Sequence, residues 1–306
     1  MMTKTTTTTT TALTTVMNGL LRRYTERVPD VKKITQALIN QGVISKESDI
    51  ENDHVAFRTM GVPNLGIASF EKIFLHYGYQ KRDAFFFESK KLDAFWFAPP
   101  EPHFPRIFVS ELRVNDLSET AQKIIRKYTD PITADPSDAL DLDDGLAVDA
   151  FLHAPLWALP SLSDYQTLLA ESEYAAWVIY NRYYLNHYTI SVHNLPEGYN
   201  SIAEFDDFVA SIGVKLSDAG GLIKTSPDGV LLQSATVAQM VEATFEGGQT
   251  HAIAGSYVEF AERKVLPQFS HLAASEIRRE HRRDGFETGN ADKIFESTFS
   301  SQTNKN

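Results

Sequence analysis

The sequence predicts an α+β fold in which two tandem βαβββ modules form a barrel or cleft, with added helices before the first module, between the two and after the second. Three observations predict it. Residues 53–59, Asp-His-Val-Ala-Phe-Arg-Thr, recur in altered form at 186–192 as Asn-His-Tyr-Thr-Ile-Ser-Val, and each copy reads as a strand opened by a histidine. Pro63 and Pro196 each follow that histidine by nine residues. An amphipathic run comes next in both copies, 67–77 and 202–212, ending at Gly78 or Gly213. The 133-residue spacing of the copies exceeds the ~20–50 residues of solenoid repeats, so the pattern is a duplicated module rather than an array.

The elements follow in order. Residues 1–11 are threonine-rich and are expected to be a disordered leader. Residues 12–52 form a helical cover, because Leu13, Val16, Leu20 and Leu21, then Ile34, Leu38 and Ile39, fall at helical spacing on either side of Pro29. Module 1, 53–115, reads strand 53–60, helix 67–77, and strands 80–88, 92–98 and 106–114. Ser89-Lys90-Lys91 marks a turn, and Pro99, Pro100, Pro102 and Pro105 separate the last two strands. The insertion 116–185 is helical at 116–127 and 165–184. Between those helices, six aspartates (135, 138, 141, 143, 144 and 149) lack the ligand order of an EF-hand and are expected in a solvated loop. Module 2, 186–266, reads strand 187–193, helix 202–212, strands 221–225 and 230–235, an insertion at 237–255, and a last strand 256–263. The tail, 267–306, is expected to hold a charged helix around Arg278, Arg279, His281, Arg282 and Arg283, then a loop, with disorder from Gln302. The whole, 1–306, reads as one functional domain.

With 306 residues, 42% of them hydrophobic and 11% aromatic, the chain has the material for a substantial core. No apolar run approaches the roughly 20 residues of a membrane-spanning helix, and no secretory or transit pattern opens the chain, so a cytoplasmic location is expected. The absence of cysteine excludes disulfides, a thiolate nucleophile and any metal site built on sulfur. Any metal therefore rests on His, Asp or Glu. The net charge of −11 argues against nucleic acid as a partner, and an anionic small molecule would need cations placed locally.

Alternate side chains of a strand share a face, so His54, Ala56 and Arg58 point one way, and His187, Thr189, Ser191 and His193 form the matching face of the second copy. If the modules pair around a shared cleft, the two histidines converge, and Arg58 is a cation on the same face. The last strand of each module offers a carboxylate, Glu111 or Glu259. A carboxylate facing a barrel interior is costly unless it is paired or binds a metal. Arg113 and Arg263 are the available ion-pair partners. Two imidazoles and one carboxylate on one face of an octahedron leave three positions open, as in non-haem iron(II) oxygenases. A 2-oxo acid takes two of these through its carboxylate and carbonyl, and O2 the third. Zinc satisfies the same ligands without supplying electrons.

Tandem βαβββ units, each opened by a histidine, with a glutamate on a last strand, resemble the vicinal oxygen chelate superfamily. More closely, residues 53–59, 186–189, 255–263 (Gly-Ser-Tyr-Val-Glu-Phe-Ala-Glu-Arg) and 291–298 (Ala-Asp-Lys-Ile-Phe-Glu-Ser-Thr) resemble the 2-oxoadipate dioxygenase/decarboxylase family, also called 2-hydroxyglutarate synthases. The resemblance implies an Fe(2+) enzyme converting 2-oxoadipate and O2 to 2-hydroxyglutarate and CO2, late in lysine breakdown. It implies His54, His187 and Glu259 as metal ligands and Arg58 as the catalytic residue that binds substrate. Arg58 lies four residues, roughly 13 Å, along the strand from His54, so it must lean back or meet the distal end of a six-carbon diacid. The rival readings are an extradiol dioxygenase using His193 or His251 as acid/base, an isomerase or lyase, and a metal-free binding protein of the same fold.

Overall fold

The computed structural model describes residues 2–305. Two helices, α1 (Met2–Arg27) and α2 (Pro29–Asn40), precede the first strand, and Pro29 both ends the first and opens the second. The first runs through residues 2–11, where a disordered leader was expected, while Met1 lies outside the described residues. Leu13, Val16 and Leu20 are its buried stripe.

Module 1 is β1 (Asn52–Met60), α3 (Ile67–His76), β2 (Gln80–Phe87), β3 (Leu92–Ala98) and β4 (Arg106–Leu112). The insertion carries α4 (Glu119–Thr129), α5 (Gly145–Leu152), α6 (Leu162–Glu171) and α7 (Glu173–Asn181). Module 2 is β5 (His187–Ser191), α8 (Ile202–Ser211), β6 (Lys224–Thr225), β7 (Leu231–Ala235), the hairpin β8 (Met240–Thr244) and β9 (Thr250–Ala254), and β10 (Tyr257–Arg263). Two short helices, α9 (Thr288–Ile294) and α10 (Ser300–Thr303), lie in the tail.

Eight strands make one curled sheet in the order β2-β3-β4-β1-β5-β10-β7-β6. Its two halves repeat one arrangement. β4 lies parallel to β1 and β10 parallel to β5, and β1 meets β5 antiparallel at the seam. Asp53 to Met60 are all buried, as expected for a central strand covered on both faces. The β8–β9 hairpin accounts for the insertion before the last strand.

Four stretches differ from the sequence reading. The helix expected at 165–184 is two helices, because Ser172 is extended (φ −146°) and its side chain caps α7 through the Ala175 amide. The acidic stretch is tied down rather than free. Asp135 and Asp138 pair with Lys72, Asp143 with His76, Asp144 caps α5, and Asp149 is buried against Arg23 at 2.8 Å. The charged run 278–283 holds only a single 3-10 turn, Arg279–His281, and the α-helices of the tail come later. Gln302, where disorder was expected, is buried and accepts the Asp218 amide at 3.1 Å.

Register decides which acids face the interior. β1 pairs His54 with Arg106 and Ala56 with Phe108, while β5 pairs His187 with Tyr257 and Thr189 with Glu259. Phe108, not Glu111, is therefore the counterpart of Glu259, and Glu111 corresponds to Glu262. Each of that second pair accepts the first amide of its module's helix, Glu111 from Ile67 at 2.8 Å and Glu262 from Ile202 at 2.9 Å. Gly66 fits this cap because its φ is +90° and a Cβ there would meet Glu111 Oε2 at 2.1 Å. Glu111 is not the partner of Arg113, which pairs with Glu88, Asp93 and Asp116. Glu111→Ala is expected to destabilise the fold by about 0.5–2 kcal/mol, the usual cost of losing a helix cap, with metal content unchanged. A shifted urea midpoint at constant slope, beside metal analysis, checks both halves.

Candidate metal centre

The β1–β5 register sets His54 opposite Thr189 and Ala56 opposite His187, and the β5–β10 register sets Thr189 opposite Glu259. Three side chains from three adjacent strands thereby converge on one face. His54 Nε2 lies 3.4 Å and His187 Nε2 3.0 Å from Glu259 Oε2, and the ligand atoms of all three fall within 4.8 Å of one another. The imidazole rings meet edge to face, centroids 5.5 Å apart. All three residues are buried, at 1%, 6% and 1% exposure.

Each histidine is oriented by the residue before it. His54 Nδ1 lies 2.8 Å from Asp53 Oδ1 and His187 Nδ1 lies 3.0 Å from Asn186 Oδ1. A carboxylate or amide oxygen only accepts, so each Nδ1 carries the proton and each Nε2 faces Glu259 with its lone pair available to a metal, the Thr189 hydroxyl lying 3.0 Å from His54 Nε2. The β1–β5 pairing shifts at Asp53, and a bulge of that kind re-aims side chains, which brings Asp53 beside its neighbour's ring. Asp53 is itself held by Arg263 through Nε–Oδ2 at 2.6 Å and Nη2–Oδ1 at 2.9 Å, and by Arg106 Nη1 at 3.2 Å. On the other ligand, Gln233 Nε2 donates to Glu259 Oε1 at 2.6 Å, and Asn290 of α9 donates to Gln233 Oε1 at 3.0 Å. That leaves Oε2 turned toward the imidazoles.

Burial works against charge on Glu259, yet the imidazoles of His54 and His187 hold its carboxyl well below the usual carboxylate range. Burial likewise opposes charge on His54, but Glu259 and Asp53 outweigh it and raise this imidazole, whereas burial keeps His187 below its ordinary value. Burial again disfavours the Asp53 carboxylate, and Arg263 and Arg106 override it to hold Asp53 well below its ordinary value. The donor set fits a divalent ion of the non-haem iron type. Ligands about 2.1 Å from an ion and at right angles stand roughly 3.0 Å apart, and the observed separations from Oε2 are 3.0 and 3.4 Å.

Phe108, Tyr257, Phe286, Ala291, Ile294 and Phe295 close the cavity around these ligands. Its free space is about 20 Å3, against roughly 300–1,000 Å3 for ligand pockets in general. Arg58 shares the His54 face but does not line this cavity. Its Nη1 donates to Thr298 Oγ1 at 2.9 Å and its Nη2 to the Phe295 carbonyl at 3.0 Å, with the guanidinium 5.2–5.6 Å from the rings of Tyr174, Trp177 and Phe295. Arg58 thus reaches the cavity through the turn that carries Phe295. His193 lies beyond the end of β5 and accepts the Arg263 amide at 3.2 Å, and His251 sits in the β8–β9 hairpin. Among the described residues lining the cavity there is no third histidine.

Sequence reading brought His54, His187 and Glu259 into view and missed their supports. An oxygen-bearing residue precedes both histidines, Asp53 and Asn186, and that repetition was the available signal. Nothing local marks Gln233 or Asn290, which reach Glu259 only through the fold.

A family model described as 2-oxoadipate dioxygenase/decarboxylase matches residues 16–276. The chain belongs to this family. It is 47% identical over 264 residues to the 2-oxoadipate dioxygenase/decarboxylase of Arabidopsis thaliana, covering 83% of this chain and 69% of the relative. To that of Oryza sativa subsp. japonica it is 44% identical over 299 residues, covering 94% and 79%. The crystal structure of the hydroxyglutarate synthase from Oryza sativa in complex with 2-oxoadipate superposes with a TM-score of 0.86 at 43% identity, over 95% of this chain and 93% of that one. The expectation of a cytoplasmic location is overturned by these relatives, which are named chloroplastic in one case and chloroplastic/amyloplastic in the other.

Asp53→Asn keeps the shape beside His54 and removes the charge. Divalent-metal affinity, read by chelator competition, is expected to fall roughly 10- to 100-fold, the usual cost of altering a ligand's outer partner, because the amide oxygen still accepts from Nδ1 but no longer raises the basicity of the imidazole, with near-UV circular dichroism retained.

Proposed function

We propose that this chain is an iron(II) enzyme that converts 2-oxoadipate and O2 to 2-hydroxyglutarate and CO2, a late step of lysine breakdown, with His54, His187 and Glu259 as the metal ligands. The observation that carries the reading is the buried His-His-Glu cluster, found in a member of a family whose rice relative was crystallised with 2-oxoadipate. His54, His187 and Glu259 would hold the metal and leave room beside it for substrate and O2, and ferrous iron bound there would supply the electrons that O2 needs to react. The atoms balance without a further co-substrate. The C1–C2 bond breaks, C1 leaves as CO2 with its own two oxygens, C2 gains one oxygen of O2 to become the new carboxylate, and the other oxygen becomes the hydroxyl of the five-carbon hydroxy diacid.

The protein's own work is orientation and exclusion. Asp53 and Asn186 fix both imidazoles with Nε2 inward, and Gln233 directs the Glu259 carboxylate. Aromatic walls from Phe108, Tyr257, Phe286 and Phe295 keep water from the reacting atoms. A six-carbon diacid does not fit the cavity as it stands, so entry moves Phe286, Ile294 or Phe295. Movement of that turn frees the Arg58 donors now held by Phe295 and Thr298, and Arg58 then binds the distal carboxylate. Because the ligands come from both modules, the two act as one functional domain.

The direct test is oxygen consumption by iron(II)-loaded protein across a panel of 2-oxo acids. The expected result is uptake with 2-oxoadipate, with one 2-hydroxyglutarate and one CO2 formed per O2, and no stoichiometric uptake in its absence. Consumption indifferent to the distal carboxylate would refute the substrate reading. For Arg58→Lys, which keeps the charge but loses the planar fork, kcat/KM is expected to fall by roughly ten- to over a hundredfold, as for one charge-assisted hydrogen bond of about 1.5–3 kcal/mol. Its iron content should match the parent, and its preference for 2-oxoadipate over a monocarboxylic 2-oxo acid of equal length should shrink.

A further inference from the structure

A second cleft, of about 530 Å3, lies on the outer side of Asp53 and shares no lining residue with the metal-centre cavity. Its floor is the buried pair Arg106 and Arg263, and its rim is Arg278, Arg279 and Arg282 from the segment after β10. Against these five arginines stand Glu51 and Asp53 in the lining and Asp284 paired with Arg106, a local excess of two positive charges (5 − 3) in a chain whose net charge is −11.

The floor is fully committed to its partners. Arg263 is engaged by Asp53 and by the carbonyls of Arg283 and Gly285, and Arg106 by Asp53 and Asp284. The rim is not. Arg278 donates only to the carbonyls of Ser275 and Ile277, Arg279 to those of Pro102 and Phe104, and Arg282 to that of Arg263. Among the described residues none of the three meets a carboxylate in an ion pair, and Arg279 Nη2 is buried with no partner at all. Crowding of like charge is evident at the floor, where burial and then Arg263 push the Arg106 guanidinium down to about 10. Burial pushes His193, on the wall, down to about 4, so it adds no charge at neutral pH. Three guanidiniums with unused donors around a concave, positively charged space are the donor set for an oxyanion, since each presents a planar fork that matches carboxylate or phosphate.

We propose that this cleft is a binding site for a small dianion carrying carboxylate or phosphate oxygens, separate from the metal centre and held chiefly by Arg278, Arg279 and Arg282. The ligand sits one residue from His54 along the chain, with Asp53 between them, but it does not depend on the reaction assigned above.

Isothermal titration of the full chain with inorganic phosphate and, separately, with glutarate tests the proposal, comparing the parent with Arg278→Gln/Arg282→Gln and with Arg279→Gln. The expected result is one equivalent of at least one probe bound by the parent, weakened about tenfold or more in the double variant and lost progressively as salt rises. Binding of phosphate alone identifies a phosphate-bearing ligand, and of glutarate alone a dicarboxylate. Glutarate binding that survives in both variants would belong to the metal-centre cavity and would overturn the proposal, as would a parent that binds neither probe. Circular dichroism and iron content serve as controls, since no substituted residue lies in the metal-centre cavity, and oxygen consumption with 2-oxoadipate, no phosphate or glutarate added, should be unchanged.

Discussion

The antiparallel pairing of β1 with β5 is the constraint on which the rest of the molecule depends. It joins two copies of one module at the strands that open with histidine, and its register alone sets His54 beside Thr189 and His187 beside Ala56. A slip of one residue would turn either histidine to the opposite face. The parallel neighbours β4 and β10 then complete each half, but with unlike residues at equivalent places. Glu259 stands where module 1 has Phe108, and Tyr257 where it has Arg106. One half therefore supplies the carboxylate and the other an apolar wall, so the cluster offers three candidate ligands instead of four.

Charge is distributed with the same economy. β10 carries Glu259 and Arg263 on one face, so a single strand provides both a candidate ligand and the arginine that holds Asp53, the partner of His54. An Asp53 left alone at this depth would be driven toward its neutral form. Two arginines keep it ionised, and that in turn commits the His54 proton to Nδ1. The tail closes the other side. Asn290 fixes Gln233 against Glu259 while Arg58 holds the turn at Phe295 and Thr298, so the cavity wall is tied at two points to residues of the sheet.

The sequence made the modules legible because a duplicated unit reveals itself through its own repetition, and His54 and His187 through their identical place in it. The strands of module 1 were readable to within a residue or two from alternation and turn chemistry. Glu111 was not, since which acid faces inward depends on pairing register, and register is a relation between strands that neither strand states. Arg263 looked like an available partner for Glu259 by proximity, but its guanidinium goes to Asp53. The tail lacked periodicity because its shape is imposed by contacts with Arg58 and Gln233 rather than by its own propensity. The aspartates of 135–149 read as a solvated loop for the same reason, their partners Lys72, His76 and Arg23 lying far away in the chain.

The account stands on one ion being held across the seam by residues of both modules. Anomalous diffraction at the iron edge from anaerobic crystals of iron(II)-loaded protein with 2-oxoadipate measures that directly. The expected result is a single iron peak at about 2.0–2.2 Å from His54 Nε2, His187 Nε2 and Glu259 Oε2, with the 2-oxo acid end of the substrate on two of the remaining positions. A peak bound by residues of one module only, or one that includes Glu111 or His193, would contradict it.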